Sequence, residues 1–260
     1  MSRDLRLGPI AAAFAGVALV SCAAPGAPPA SAGRTLVVFA AASLAGPFDQ
    51  IARDFERQQP GLSVQLGFGP SNGLATQILE GAPVDVFASA SPRPMDAVAA
   101  GPGVSGRADM ATNALVVVAP ADDPGAVESL ADLARPGLRL VVAAEGVPAG
   151  DYARQVLDAA GIRPAAEANV VSNEVDVRGV LQKVLAGEAD AGLVYRTDVT
   201  PAVASRLAVV EVPEAHRAVA VYPIGVVGGA PEPELARAFV AHVLGPGQAA
   251  LRAAGLRPPP

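Results

Sequence analysis

The sequence contains few aromatic residues and no tryptophan. Aromatic residues make up only 4% of its 260 residues, whereas hydrophobic residues account for 51%. A core with so few large rings must be built mainly from Ala, Val and Leu side chains. The chain is long enough for one large domain, or for two lobes, around a substantial core.

Cysteine, histidine and clustered basic residues are also scarce. The single cysteine excludes an internal disulfide, and the two isolated histidines have no zinc-ligand spacing. We find no P-loop and no dinucleotide fingerprint, so we expect no cofactor. The net charge of −6, without a basic stripe, argues against nucleic acid as a partner. An anion site in this acidic chain must work through local dipoles.

The first 33 residues have the pattern of an export signal followed by a tether. Arg3 and Arg6 precede a short apolar run that is typical of a signal peptide, which we assign to 1–21. The run ends in Leu-Val-Ser-Cys, which predicts lipidation of Cys22; the alternative is an ordinary secretory cleavage site. Residues 22–33, rich in Ala, Pro, Gly and Ser, are predicted to tether the protein to the membrane, in the periplasm or at the outer face of the cytoplasmic membrane.

From residue 34 onwards, strand patterns and helix patterns alternate. Strands are predicted at 35–39, 115–119 and 191–195, for example, and helices at 44–58 and 233–244. This alternation predicts the α/β class. It suits one doubly wound sheet and also two smaller sheets between which the chain crosses, and the periodicity does not choose between them.

The most informative segment is 38–44, where a short apolar strand meets three alanines, a serine and then a helix. The first N–H groups of a helix have no acceptor within the helix and attract anions. The segment therefore predicts that Ser43 and neighbouring amides bind an anion. The alternative is that Ser43 only caps the helix.

A second strand-to-helix turn, Gly-Pro-Ser-Asn-Gly at 69–73, has Ser71 at its apex. Ser71 is also predicted either to bind an anion or to cap a helix. The turn matches the G-x-S-x-G nucleophile elbow of serine hydrolases, for which His216 or His242 follows in the required order. Against an exported hydrolase, Ser71 comes after only two strands, and no His-Gly oxyanion motif precedes it.

The middle of the chain contains three further places that suit a ligand. The turn at 146–152 opens a helix with glycines, which let backbone N–H groups approach a ligand closely. Asp176 is predicted to cap another helix. Tyr195 ends a strand, where its phenol is either part of the core or free to donate a hydrogen bond.

In their order and amino-acid sequence, these segments resemble those of the molybdate-binding component of bacterial ABC importers, a two-lobed periplasmic binding protein. The resemblance covers nearly all of 34–260. It rests on the segments 38–44 (VFAAASL), 81–87 (GAPVDVF), 113–120 (NALVVVAP), 147–150 (VPAG), 176–179 (DVRG), 192–195 (GLVY) and 222–224 (YPI).

The resemblance implies a type II periplasmic-binding-protein fold, α/β in class, with the ligand cleft between two lobes. It places lobe one at 34–113 plus 221–260, and lobe two at 114–220. It also implies a monomeric, non-enzymatic protein that delivers its ligand to the permease and ATPase of an importer.

The resemblance further implies that neutral donors hold the oxyanion, so that the metal is contacted only through its oxygens. These donors are the hydroxyls of Ser43 and Ser71, the backbone amides of Ala149 and Val177, and the phenol of Tyr195. One departure from the family is Pro70, which replaces a serine and lacks an N–H. Asn72 offers a side-chain amide in its place.

A site made of donors suits molybdate because this dianion carries no proton at neutral pH and only accepts hydrogen bonds. Phosphate usually keeps a proton, which such a site leaves without an acceptor. Tungstate is expected to bind as well. Sulfate is also a bare dianion, so a sulfate-binding protein of the same fold is the alternative.

Overall fold

The computed structural model describes residues 33–122 and 126–259. The predicted signal peptide at 1–21, Cys22 and the tether up to residue 32 lie outside the described residues. Within those ranges, no helix combines the length and the apolar character that a membrane span requires. The same ranges contain no group of side chains suited to holding a metal ion.

The described ranges contain nine strands and nine α-helices. The strands are β1 Arg34–Ala41, β2 Leu62–Gly69, β3 Val86–Ala88, β4 Val104–Pro120, β5 Leu140–Ala143, β6 Val170–Glu174, β7 Ala191–Tyr195, β8 Leu207–Glu211 and β9 Val219–Val227. The helices are α1 Ala45–Gln58, α2 Ser71–Leu79, α3 Pro92–Ala100, α4 Pro148–Ala159, α5 Arg163–Glu167, α6 Val177–Leu185, α7 Pro201–Ala204, α8 Pro233–Leu244 and α9 Gln248–Ala253. The predicted α/β class is confirmed.

The strands form one continuous sheet in the order β2-β1-β3-β9-β4-β7-β5-β6, with β8 also paired to β4. β1 is parallel to β2 and β3, and β5 is parallel to β6 and β7. β4 and β9 are antiparallel to each of the strands with which they pair. Both arrangements left open by the periodicity are therefore partly right, because two groups of strands are joined into one sheet.

The long strand β4 makes this junction. From Val104 to Ala114 it pairs with β9, and from Leu115 onwards it pairs with β7 and β8. We call the group containing β1 the first half-sheet and the group containing β5 the second half-sheet; β4 belongs to both. The sequence predicted a strand only at 115–119, because exposed polar residues and register irregularities interrupt the pattern between Ser105 and Ala111.

The core is aliphatic, as the composition predicted. Its main cluster is formed largely by Ala, Val and Leu from both half-sheets. The few aromatic side chains in it are grouped: Phe239 on α8 packs edge-on against Phe48 and Phe55 on α1, with ring centroids 6.3 and 5.3 Å apart. These contacts pack α8 along much of the length of α1.

Candidate functional site

A small cavity lies where the carboxyl ends of strands from both half-sheets meet the first turns of helices. Its volume is about 20 Å³, and a buried water needs roughly 10–15 Å³. The enclosed space is therefore only slightly larger than one buried water needs. The lining residues are Ala41, Ala42, Ser43, Gly69, Pro70, Ser71, Ala90, Val147, Pro148, Ala149, Asp176, Val177 and Tyr195. All five residues predicted to bind the oxyanion are among them.

Ser43 reaches the cavity from a short 3-10 helix, Ala42–Leu44, between β1 and α1. Neither this helix nor α1 is capped by a side chain, so the interpretation of Ser43 as a helix cap is wrong. Its Oγ instead lies 3.0 Å from the Oη of Tyr222 on β9. The serine is therefore held against the strand that crosses the middle of the sheet.

Ser71 is the first residue of α2 and is almost fully buried, with 1% of its surface exposed. Pro70 occupies the N-cap position, so Ser71 is not a cap either. Its Oγ accepts a hydrogen bond of 3.0 Å from the backbone N–H of Ala90. Asn72 does not line this cavity but another one, beside Arg93, so the structure does not support it as a substitute donor.

The hydrolase hypothesis for Ser71 finds no base in the structure. Among the described residues that line the cavity there is no histidine. His242 packs against the ring of Phe55, with centroids 5.4 Å apart, and His216 lies in a 3-10 helix, Glu214–His216, away from the lining. Without a base to accept its proton, the Ser71 hydroxyl is not an activated nucleophile.

The other side of the cavity is formed by the first turns of α4 and α6. Ala149 and Val177 lie within these turns, where a backbone N–H has no acceptor inside the helix. Asp176 is the N-cap of α6, and its carboxylate accepts a hydrogen bond of 3.0 Å from the N–H of Gly179, so the predicted cap is confirmed.

Gly150 has a packing role, and the interpretation that it lets a ligand approach is not supported. A Cβ added to it would lie 2.2 Å from the carbonyl oxygen of Ala144 and 2.4 Å from that of Ala143. The glycine thus allows α4 to start directly against the end of β5. This close approach places Ala149, its neighbour, in the cavity wall.

Tyr195 ends β7 and is buried, with 1% of its surface exposed. Its ring packs edge-on against Tyr222, with centroids 5.8 Å apart, yet its phenol oxygen has no hydrogen-bond partner among the described residues. Burial raises the pKa of the Tyr195 phenol well above its usual value, so the group keeps its proton. A buried donor without an acceptor at a cavity wall is suited to a ligand acceptor.

Asp198 is a neighbour of the site that the sequence analysis missed. Its carboxylate accepts a hydrogen bond of 2.9 Å from the backbone N–H of Tyr195. Burial raises the pKa of this carboxyl to about 7, helped by the charge of Asp176 and opposed by the Tyr195 N–H and by Arg178. No local pattern in the sequence marks the residue, because its burial depends on tertiary packing.

The electrostatics of the cavity depend on backbone dipoles. Its described lining contains no Lys, Arg or His, and Asp176 is the one charged residue. The carboxylate of Asp176 is engaged by Gly179 and by the guanidinium of Arg178, 3.1 Å away. The first turns of α2, α4 and α6 supply the positive potential, each equivalent to about half a charge. The site is therefore built to accept an anion through neutral donors.

Comparison with known families identifies the kind of protein to which this site belongs. The profile described as bacterial extracellular solute-binding protein matches residues 36–257. The chain belongs to this family. The solute-binding protein is also similar to the molybdate-binding protein ModA of Mycobacterium tuberculosis, with 46% identity over 216 residues, which cover 83% of this chain and 81% of the relative.

Solved structures give the same picture of the fold. The solute-binding protein is similar to the periplasmic molybdate-binding protein of Azotobacter vinelandii, with a TM-score of 0.74 and 26% identity, covering 86% of this chain and 100% of that one. It also resembles the sulfate-binding protein SubI of Mycobacterium tuberculosis, with a TM-score of 0.76 and 16% identity over 86% and 87% of the two chains. The second likeness shows the fold alone.

These relationships decide several predictions made from the sequence. The type II periplasmic-binding-protein fold is confirmed, and the protein is a transport component that acts outside the cytoplasm, not an enzyme. The hydrolase alternative is therefore wrong. The lipid anchor at Cys22 and the boundaries of the two lobes stay predictions.

Proposed function

We propose that this solute-binding protein captures molybdate outside the cytoplasm and delivers it to the permease and ATPase of an ABC importer. The observation that carries the proposal is the meeting of Ser43, Ser71, Ala149, Val177 and Tyr195 around one small cavity whose described lining contains no cationic side chain. The similarity to molybdate-binding proteins supports the choice of this anion.

The donor set explains both the affinity and the choice of ligand. Each hydrogen bond to a charged acceptor contributes on the order of 1.5–3 kcal/mol. Five such donors can reach submicromolar affinity, about −8 kcal/mol or better, after the ordering costs of binding. Tungstate has the same charge and shape and is proposed to bind in the same way. No cofactor is required for this role.

We also propose that the two lobes follow the predicted boundaries, 34–113 plus 221–260 and 114–220. The change of β4 from pairing with β9 to pairing with β7, between Ala114 and Leu115, supports the first crossing. Ser43 and Ser71 belong to one lobe and the other three donors to the second. The anion therefore stabilises the closed arrangement, since only that arrangement brings all five donors together. The proposed unit is a monomer.

A lipid anchor at Cys22 completes the proposal for location. Metabolic labelling with a radioactive fatty acid is expected to mark the full chain and to fail on Cys22→Ala. Equal labelling of the two proteins would contradict the anchor without affecting the proposed ligand.

Calorimetry with molybdate tests the site directly. Ser43→Ala and Tyr195→Phe each remove one donor, and we expect each to weaken binding about tenfold or more. Ser63→Ala, on the exposed face of β2, is the matched control and is expected to bind as the wild type does. Wild-type affinity in both site variants would refute the assignment, and displacement of molybdate by equimolar sulfate would instead favour the sulfate alternative.

A further inference from the structure

One ion pair of the described residues joins the two proposed lobes, and neither of its members lines the anion cavity. The guanidinium of Arg93, on α3 of lobe one, lies 3.7 Å from the carboxylate of Asp151, on α4 of lobe two. Every other ion pair described for the chain lies within a single lobe. The Arg93–Asp151 pair is therefore the one that depends on how the lobes are arranged.

Asp151 is held firmly in place because its two carboxylate oxygens have different partners. Its Oδ1 accepts a hydrogen bond of 2.7 Å from the backbone N–H of Gly146, across the turn that precedes α4. Its Oδ2 is the atom that faces Arg93. Since Asp151 lies in the first turn of α4, two positions after Ala149, the ion pair connects a donor of the anion site to the opposite lobe.

The lobes are separated by an open space beside this ion pair. Asn72 and Arg93 on lobe one and Gly146 on lobe two line a cleft of about 270 Å³. The side chain of Arg93 is 81% exposed and that of Asp151 is 26% exposed. The pair thus spans a hydrated rim, where water replaces each partner as soon as the lobes move apart.

Other side-chain hydrogen bonds between the described parts of the lobes lie where the chain crosses from one lobe to the other. The amide of Asn113 on β4 donates to the Oγ1 of Thr197 at 2.8 Å, and the N–H of Val221 on β9 donates to the Oη of Tyr152 at 3.3 Å. Rotation about a hinge displaces atoms in proportion to their distance from its axis, so contacts at the crossings move little. Helices α3 and α4 contain no crossing, and opening therefore breaks the ion pair between them.

We propose that Arg93 and Asp151 are positioning residues that hold the lobes closed over the anion and slow its release. The cavity is small and most of its lining is buried, so the anion leaves only after the lobes separate. A contact that exists only in the closed arrangement stabilises that arrangement. The pair breaks before the anion leaves and forms after the anion has entered, so its loss affects release more than association. The inference rests on the proposed function, because it concerns release of the captured anion.

Stopped-flow mixing with molybdate measures both rates, with tyrosine fluorescence as the signal. The three tyrosines of the chain are buried, and Tyr195 lines the cavity. We expect Arg93→Ala to release molybdate about two- to fivefold faster, the range that exposed ion pairs supply, with a smaller change in the association rate. Arg107→Ala is the matched control, because it also removes an arginine charge from lobe one, but its partner Asp96 lies in the same lobe. Its release rate should equal that of the wild type.

A second background shows whether Arg93 acts through Asp151 or attracts the anion by its own charge. Asp151→Asn keeps an oxygen that accepts from Gly146 and removes the charge that Arg93 faces. In this background, adding Arg93→Ala should leave the release rate unchanged. A release rate that rises equally in both backgrounds would mean that Arg93 acts on the dianion directly, which overturns the inference.

Two further outcomes separate the inference from the proposed function. Release at the wild-type rate in Arg93→Ala, or equally fast release in Arg107→Ala, would overturn the inference and leave molybdate binding intact. A wild-type protein that does not bind molybdate would overturn the proposed function itself.

Discussion

Tyr195 combines a tightly held backbone with an unpartnered phenol. Its N–H donates to the carboxylate of Asp198, whereas its hydroxyl has no acceptor among the described residues. Tyr222, on the next strand but one, has partners on both sides, Ser43 and Asn113. Two buried tyrosines in contact thus differ in how their hydroxyls affect the stability of the ligand-free protein.

Removing each hydroxyl should therefore affect the stability of the ligand-free protein differently. Tyr195→Phe is expected to leave the thermal stability of the ligand-free protein unchanged or slightly higher, while it weakens molybdate binding. Tyr222→Phe should lower the free energy of unfolding by about 1 kcal/mol, because it breaks hydrogen bonds that are satisfied in the fold. Calorimetric unfolding of both variants checks this, and a larger loss in Tyr195→Phe would contradict it.

Asp198 should make the stability of the protein depend on pH. Its pKa is about 7 in the fold and 3.8 for a free side chain, so between these values the folded state binds the proton that the unfolded state has lost. Its contribution to stability is thus greatest at acidic pH and falls as the pH rises from about 4 to about 7. Each pKa unit corresponds to about 1.4 kcal/mol.

The Asp198→Asn variant isolates this effect, because its side-chain oxygen can still accept from Tyr195. We expect the difference in unfolding temperature between pH 5 and pH 8 to be smaller in the variant than in the wild type. Identical pH profiles for the two proteins would show that Asp198 ionises in the fold as it does in the unfolded chain.

At the scale of secondary-structure elements, the helices and strands predicted most accurately are those whose own residues carry a clear pattern. Helices α8 and α9 and strand β7 have the predicted bounds, since the helices each have a buried face and β7 is a short run that is buried throughout its length. Strand β6 was missed because it alternates between exposed and half-buried residues with no apolar side to reveal it. Its place in the sheet depends on pairing with β5.

The candidate site shows the same division between local and long-range information. Ser43, Ser71 and the turn containing Ala149 were marked in the sequence by serine, glycine or proline between a strand and a helix. Val177 and Tyr195 were assigned as donors only through the family resemblance. The network around Tyr222 was not predictable, because it joins residues 109 and 179 positions apart in the chain. Asn113 and Tyr222 were quoted only as parts of segments, without a role.

The start of α4 gives a test at this scale. Gly150→Ala places a methyl group against the carbonyl oxygens at the end of β5, and we expect the free energy of unfolding to fall by about 1–3 kcal/mol. Molybdate binding should also weaken, since the amide of Ala149 moves with the helix. Gly46→Ala in α1, where an added methyl meets no atom within 4 Å, is the control and should be neutral or stabilising. A neutral Gly150→Ala would contradict the packing argument.

At the scale of the whole molecule, ligand and fold should be thermodynamically linked. The cavity is lined from both half-sheets, and its lining is mostly buried, so an anion that needs all five donors binds only the folded protein. At a free molybdate concentration of 100 times Kd, binding should stabilise the fold by about 2.7 kcal/mol. For a chain of this size the unfolding temperature should rise by about 5–11 °C.

This linkage is measured by scanning calorimetry over a molybdate titration. Ser43→Ala should need about tenfold more molybdate to reach the same rise. A rise that is identical in the wild type and in this variant would place the stabilising anion elsewhere on the molecule.

The lack of cationic side chains among the described residues of the cavity lining also has a kinetic consequence. Proteins that attract an anion through lysines and arginines lose association rate as salt screens their charge. Here the net charge is −6, so the molecule as a whole repels the dianion that its backbone dipoles hold at short range. Added inert salt should weaken the repulsion more than the attraction. Capture of the anion should therefore become faster, not slower, as the ionic strength of the surroundings rises.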